Sequence, residues 1–117
     1  MNYFQPHELK CSCGECYGTM NLKFMIRLNK LRNDCNFPFH ISSAYRCGEY
    51  NEKIGGAKNS AHKKGRAVDI LCSHKEALII IVRALEYGFT GIGVKQRGNG
   101  RFIHIDDTHE TPTLWSY

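Results

Sequence analysis

A run of six apolar residues at positions 77–82 constrains the fold more than any other feature of the chain. Ser73, followed three residues later by Glu76, has the pattern of a capping box, which marks a helix start just ahead of such a run. Gly88 suits the residue that follows a helix C-terminus. The sequence therefore predicts a deeply buried helix over residues 74–87.

Shorter elements are predicted around this helix. A second helix is expected over residues 19–34, where Phe24, Leu28, Leu31 and Cys35 recur at helical spacing and give one buried stripe. The remaining predictions are strands at 39–44, 66–71, 91–95 and 101–106, a short helix at 47–54 and a loop at 57–65. Because strands and helices mix without strict alternation, we expect an α+β fold, with helices packed on an antiparallel sheet. The chain has 117 residues, which fits one domain over 1–117, beginning with an irregular, cysteine-rich segment at 1–18.

The overall charge favours anionic partners only mildly. The net charge is +5, but the basic residues are scattered and form no stripe with exposed aromatics, so we expect no nucleic-acid binding. No stretch of about 18 apolar residues is present, so no membrane span is expected. The first ten residues lack a basic stretch followed by an apolar one, so no secretory signal is expected either. We expect a monomer.

Three residues have the chemistry of a zinc site. His62 lies in the predicted loop, Asp69 on the strand after it, and His104 on the last predicted strand. Zinc in hydrolases has three protein ligands and a water, and imidazole and carboxylate ligands suit it. If the two strands are neighbours, alternation lets Asp69 and His104 face one pocket. Alternatively, Asp69 pairs with Arg66 or a lysine, and the histidines are ordinary structural residues.

Several motifs indicate a family. These are Ser60-x-His62-x-x-Gly65-x-Ala67-x-Asp69, Ser42-Ser43-Ala44-Tyr45-Arg46, Gly91-Ile92-Gly93-Val94 and Phe102-Ile103-His104-Ile105-Asp106. Together they resemble the zinc D-alanyl-D-alanine carboxypeptidase family, which shares its fold with the hedgehog signalling domain and includes small phage endolysin peptidases. The similarity runs from about Phe4 to Trp115. It implies a hedgehog/DD-peptidase-like fold with a zinc cleft on the sheet, and His62, Asp69 and His104 as the Zn²⁺ ligands.

The resemblance also assigns roles near the metal. Arg46 matches an arginine that binds substrate or steadies the oxyanion, although a surface salt bridge is the alternative. Ser60 matches a motif serine that contacts substrate, although it could simply cap a turn. Many members have an acidic general base three residues before the last zinc histidine, and here that position is Arg101.

The general base must then lie elsewhere. Asp106 shares the strand face of His104 and is the candidate, unless it only orients His104. Asp107 points the other way if the strand continues. Glu49 and Glu52, on the predicted short helix, are further candidates for the base.

The cysteines of the first segment leave a question open. Cys11, Cys13 and Cys16 could bind a second metal with Cys35 as a fourth ligand, or they could serve only in packing. Cys47 and Cys72 are expected to be small buried residues. Without a secretory signal, we expect the thiols to be reduced.

The function that follows is a zinc metallopeptidase that hydrolyses D-amino-acid-containing peptide bonds of peptidoglycan, as a carboxypeptidase or an endopeptidase. The lack of a signal suggests a phage product, made in the cytoplasm, that reaches the cell wall after release or as a virion component. A zinc-bearing wall-binding module without catalysis is the alternative, which Arg101 supports.

Overall fold

A five-stranded sheet organises the fold. The computed structural model describes residues 2–16 and 18–117, and over these ranges the strands are β1 (His40–Ser43), β2 (Ala67–Leu71), β3 (Gly91–Lys95), β4 (Phe102–Asp106) and β5 (Thr113–Ser116). Their order in the sheet is β1-β2-β4-β3-β5. Strand β4 is thus central, with β2 on one side and β3 on the other.

The sheet was expected to be antiparallel, but it is mixed. Strands β1, β2, β4 and β3 pair antiparallel, but β5 runs parallel to β3, with Gly93 opposite Trp115. Strand β5 was not predicted, because its side chains are largely exposed and show no apolar alternation. It pairs through main-chain hydrogen bonds at the sheet edge, including one from Thr113 N to Thr90 O at 2.8 Å.

The helices are α1 (Pro6–Leu9), α2 (Leu22–Cys35), α3 (Gly48–Lys53) and α4 (His74–Ala84), with 3-10 turns at Ala61–Lys64 and Leu85–Tyr87. Two of the helices, α2 and α4, pack on one face of this sheet. Helix α2 starts at a cap in which the Asn21 side chain accepts from Phe24 N at 3.0 Å. Within the predicted stripe, Phe24, Leu28 and Leu31 are fully buried, but Cys35 at the end of the helix is only partly buried.

Helix α4 differs from the prediction in two ways. Only one side of the apolar run is buried: Ile80 is fully covered, whereas Leu78 is 63% and Val82 68% exposed, because the helix presents one stripe to the sheet. The capping box is also not formed, since the Ser73 side chain makes no cap hydrogen bond to any described residue. The next residue, His74, has a φ of 53°, so the chain turns into the helix through a left-handed conformation.

One face of the sheet is apolar and the other is polar, because side chains alternate along each strand. Ile103 and Ile105 of β4 point into the core with Val68 and Ile70 of β2, against α2 and α4. The intervening residues, among them Asp69, His104 and Asp106, point to the opposite face. Strand alternation therefore separates the packed core from the polar face.

The first segment is not entirely irregular, since it contains α1. Of the 1–18 range predicted to be irregular, Met1 and Tyr17 lie outside the described residues. Leu9 O accepts a hydrogen bond from Tyr45 N at 3.2 Å, which ties this segment to the chain after β1. The sulfurs of Cys11, Cys13 and Cys16 gather with that of Cys47, rather than with that of Cys35. No helix in the described part of the chain is both long enough and apolar enough to cross a membrane.

Candidate metal centre

Asp69 and His104 lie directly opposite each other on the adjacent strands β2 and β4. Cross-strand partners have neighbouring side chains on the same face, and here His104 Nδ1 is 3.0 Å from Asp69 Oδ1. Both residues are buried. The sheet register thus provides two of the three predicted metal ligands.

His62 reaches the pair from the 3-10 turn at Ala61–Lys64. The side chain of Ser60 caps this turn by accepting from His62 N at 3.2 Å. His62 Nδ1 lies 2.7 Å from Ala44 O, and because a carbonyl only accepts, Nδ1 must donate the proton. The other ring nitrogen, Nε2, is therefore the one that can bind a metal when the ring is neutral, and it lies 3.4 Å from Asp69 Oδ1.

This donor set fits zinc. One ligand atom from each of His62, Asp69 and His104 falls within 4.8 Å of the others. Zinc bonds of about 2.0–2.2 Å to nitrogen and oxygen place neighbouring ligands roughly 3.3–3.6 Å apart in a tetrahedron, close to the observed separations. Two imidazoles and a carboxylate also leave a fourth position for water or substrate. Arg66, the alternative partner considered for Asp69, instead binds Asp107, with Nε 2.7 Å from Oδ1.

Asp69 and His104 shift each other's pKa values. Burial alone would raise the pKa of Asp69, but its interactions with His104 and His62 outweigh burial and hold that pKa well below its ordinary value. Burial would lower the pKa of His104, but hydrogen bonds with Asp106 and Asp69 raise it instead. His104 therefore favours the doubly protonated ring, with each nitrogen facing a carboxylate, and a metal at Nδ1 must displace one proton.

Asp106 is positioned to orient His104. Its Oδ2 lies 2.7 Å from His104 Nε2, while Oδ1 accepts from the backbone and hydroxyl of Thr108, both at 3.1 Å. These bonds keep the pKa of Asp106 low although burial would raise it. The side chain fits because Gly91 lies opposite on β3, where any Cβ would collide with the carboxylate. With both oxygens engaged and only 1% of the residue exposed, the geometry favours orientation of His104 over direct contact with a reacting water.

Arg46 places a cation beside the cluster. Its Nη2 is 3.6 Å from Asp69 Oδ2, and its Nε donates to Ser43 Oγ at 3.1 Å. Asn51, 2% exposed, accepts from Arg46 Nη1 at 3.3 Å and donates to Ala57 O at 2.8 Å. The guanidinium is thus held at the wall of the cleft, and its side chain remains 15% exposed.

The other acidic candidates lie outside the cleft. Glu49 and Glu52 line a separate groove beside the cysteines. Arg101, at the position where an acidic residue was expected, donates to Gly98 O at 3.1 Å on the turn between β3 and β4. Strand β4 ends at Asp106, so alternation does not extend to Asp107, which lies outside the cleft lining and binds Arg27 at 2.8 Å in a structural role.

The cleft contains three residues that sequence reasoning missed. His109 Nδ1 is 2.8 Å from Asp106 Oδ1, and Trp115 packs against the rings of both His104 and His109. Tyr117 lies beside Phe102 at the rim. His109 was set aside because it has no ligand-like spacing. Its position three residues after Asp106 was the available clue, whereas Trp115 and Tyr117 reach the cleft only through the unpredicted strand β5.

Two comparisons with known proteins bear on this site. The family model described as Peptidase M15 matches residues 2–106, which is most of the chain and includes the three candidate ligands. A comparison with curated proteins found no match.

Proposed function

Since this chain belongs to the peptidase M15 family of zinc-dependent metallopeptidases, we propose that it hydrolyses D-amino-acid-containing peptide bonds of peptidoglycan. The observation that supports this best is the buried cluster of His62, Asp69 and His104 at the floor of an open cleft. Zinc held there would supply a Lewis acid that polarises the peptide carbonyl and lowers the pKa of the attacking water. The remaining steps depend on the residues around these ligands.

Arg46 stabilises negative charge that the substrate carries or develops during hydrolysis. Its guanidinium borders the cluster, and Ser43 and Asn51 fix its direction. A positioned cation of this kind stabilises either the oxyanion that develops on the carbonyl or the carboxylate of a stem peptide. Ser60 lines the same cleft as a substrate contact, in addition to capping the turn that presents His62.

His109 takes the place of the missing acidic residue as the proton shuttle. Asp106 Oδ1 accepts from His109 Nδ1, which leaves Nε2 to accept a proton, and Nε2 has no hydrogen-bond partner among the described residues. The side chain is 35% exposed in the cleft, so it can reach water and a leaving amine. Asp106 thus orients His104 through one oxygen and His109 through the other, an indirect catalytic role in place of direct proton transfer.

The walls of the cleft suit a short peptide. Phe102, Trp115 and Tyr117 provide aromatic surface for small apolar side chains such as that of alanine, and Lys64 adds a second cation to the lining of the cleft. Peptidoglycan stems combine D-alanine with free carboxylates, so they match both features. Such a substrate would place the protein at the cell wall, reached after release or as part of a virion.

Hydrolysis of defined wall peptides tests this proposal. A pentapeptide that ends in D-alanyl-D-alanine and a cross-linked dimer of stem peptides separate carboxypeptidase from endopeptidase action. We expect release of D-alanine or cleavage of the cross-link by the zinc-loaded wild type, and loss of both activities in His62→Ala. Wild type that holds zinc but cleaves neither substrate would refute the proposal.

Arg46→Ala tests the role of the cation. We expect this variant to keep its zinc and its fold but to turn over roughly 30- to 1,000-fold more slowly, since loss of one charge-stabilising group costs about 2–4 kcal/mol in the transition state. Arg83→Ala is the matched control, because Arg83 forms a surface ion pair with Asp34 and neither residue lines the cleft. Unchanged turnover in Arg46→Ala would leave Arg46 a purely structural role.

The second candidate function is a zinc-bearing wall-binding module without catalysis. Arg101 favours it, because the acidic residue typical of the resembled peptidases is absent from that position. This function predicts sedimentation of the protein with purified peptidoglycan and no peptide release at any zinc concentration. Zinc-dependent release of new amino groups from the same peptidoglycan would exclude it.

A further inference from the structure

Four cysteine sulfurs converge at a second place in the molecule, beside α3. Cys11, Cys13 and Cys16 come from the loop after α1, and Cys47 immediately precedes α3. Their Sγ atoms all lie within 4.8 Å of one another. The Cys11–Cys47 separation is 3.8 Å, and the Cys47–Cys13 separation is 3.9 Å.

These separations are those of thiolates that share one ion. Four sulfurs bound to zinc at about 2.3 Å lie roughly 3.8 Å apart at the corners of a tetrahedron. A disulfide instead brings two sulfurs to about 2.05 Å, and all four cysteines here are free. The cluster therefore has the dimensions of a thiolate metal site without rearrangement of the loop.

The surrounding backbone also suits thiolates. Four N–H groups of the described residues donate to these sulfurs: Glu15 and Cys16 to Cys13, Cys47 to Cys11, and Tyr50 to Cys47, at 3.3–3.4 Å. Gly14, with a φ of 74°, makes the tight turn that brings Cys13 and Cys16 together as a Cys-x-x-Cys pair. Such donors offset the negative charge that four thiolates concentrate and orient the sulfurs towards a common ion.

We propose that Cys11, Cys13, Cys16 and Cys47 bind a second Zn²⁺. Thiolates are soft ligands that select zinc over Mg²⁺ or Ca²⁺. Four protein ligands complete the tetrahedron and leave no position for water or substrate, so this ion is structural and has no catalytic role.

The second ion would link the first segment of the chain to the residues beside Arg46. Cys47 follows Arg46 directly in the chain, and Tyr45, just before it, is bonded to Leu9. The metal therefore fastens the first segment to the stretch that presents Arg46 to the cleft. Removing it frees both the loop and the backbone on which the guanidinium depends.

Metal content measured by inductively coupled plasma mass spectrometry tests the proposal. We expect about two zinc ions per chain in the wild type, one in His62→Ala/His104→Ala, and one in Cys13→Ser/Cys16→Ser. Cys35→Ser/Cys72→Ser is the matched control, because these cysteines lie outside the cluster, and it should retain both ions. One zinc per chain in the wild type, lost entirely in the histidine variant, would overturn the proposal.

A spectroscopic measurement keeps the test decisive if the cysteine variant fails to fold. The histidine double variant, which retains only the cysteine site, is loaded with Co²⁺ and should show intense thiolate-to-cobalt charge-transfer absorption. Absence of that absorption in the folded variant would refute the site. The result does not depend on peptidase activity, so failure of the proposed function and failure of this inference are distinguishable.

Discussion

Asp106→Asn tests whether this carboxylate orients His104 or transfers protons itself. An amide has one oxygen acceptor, and Oδ1 accepts three hydrogen bonds, from Thr108 N, Thr108 Oγ1 and His109 Nδ1. The oxygen of the new amide should therefore take the Oδ1 place and turn its NH₂ towards His104 Nε2. Two donors would then face each other across the present 2.7 Å contact.

The ring of His104 can resolve this conflict by losing its Nε2 proton. Nε2 becomes the acceptor and Nδ1 carries the proton, but Nδ1 is the atom that faces Asp69 and the metal position. Loss of such an orienting partner typically weakens metal affinity 10- to 100-fold, which corresponds to about 1.4–2.7 kcal/mol. We expect this loss in a competition titration against a chromophoric chelator.

His109→Ala is the matched control, because it removes a bond to Oδ1 and leaves the Oδ2 contact with His104. It should bind zinc within about threefold of the wild type, yet hydrolyse wall peptide roughly 100-fold more slowly at saturating zinc, the usual scale for losing a general acid–base group. If Asp106→Asn bound zinc as tightly as the wild type and lost only turnover, Asp106 would be the proton shuttle and the orienting role would be wrong.

Other contacts lead to three further predictions. Gly91→Ala should push the Asp106 carboxylate aside and weaken zinc binding about 10-fold or more, whereas Gly48→Ala, which meets only ordinary contacts, should not; equal titrations would refute this. Asp107→Asn should leave hydrolysis near that of the wild type but lower the free energy of unfolding by about 1–3 kcal/mol, because it loses the negative charge and one of the two oxygens that bind Arg27 and Arg66; an unchanged denaturant midpoint would count against it. The metal-free protein should lose stability as pH rises above 6.5, since the raised pKa of His104 stabilises the folded state fully only below that value. It should also lose stability as pH falls below 3.8, where Asp69 and Asp106, whose pKa values are lowered in the folded state, begin to protonate in the unfolded chain. A melting temperature that is flat across pH 4–8 would contradict the ion-pair cluster.

The sequence predicted those parts of the site that depend on strand alternation. Asp69 and His104 lie on adjacent strands, and each is flanked along its strand by apolar residues. Alternation therefore predicts that both side chains point to the same face, away from the core. The fold class followed from the same local patterns. The family resemblance supplied His62, whose turn has no periodicity of its own.

The parts that could not be predicted depend on long-range packing. Strand β5 is held by main-chain bonds at the sheet edge, and main-chain bonds leave no residue pattern to recognise. His109 and Trp115 acquire their places only through that strand and the loop before it. Similarly, the choice of Cys47 over Cys35 as the fourth cysteine depends on how α1 and its loop fold back along the sheet, which spacing along the chain does not reveal.

The edge position of β5 has a consequence for how specificity could diverge. The proposed zinc ligands lie within residues 62–104, whereas Trp115 belongs to β5 and Tyr117 directly follows it. Among the described residues, β5 pairs with a single strand, β3. One wall of the cleft can therefore be rebuilt by exchanging the short segment 113–117, without altering any of the proposed ligands. Grafting this strand between related peptidases would be a direct way to transfer substrate preference while the hydrolytic machinery stays intact.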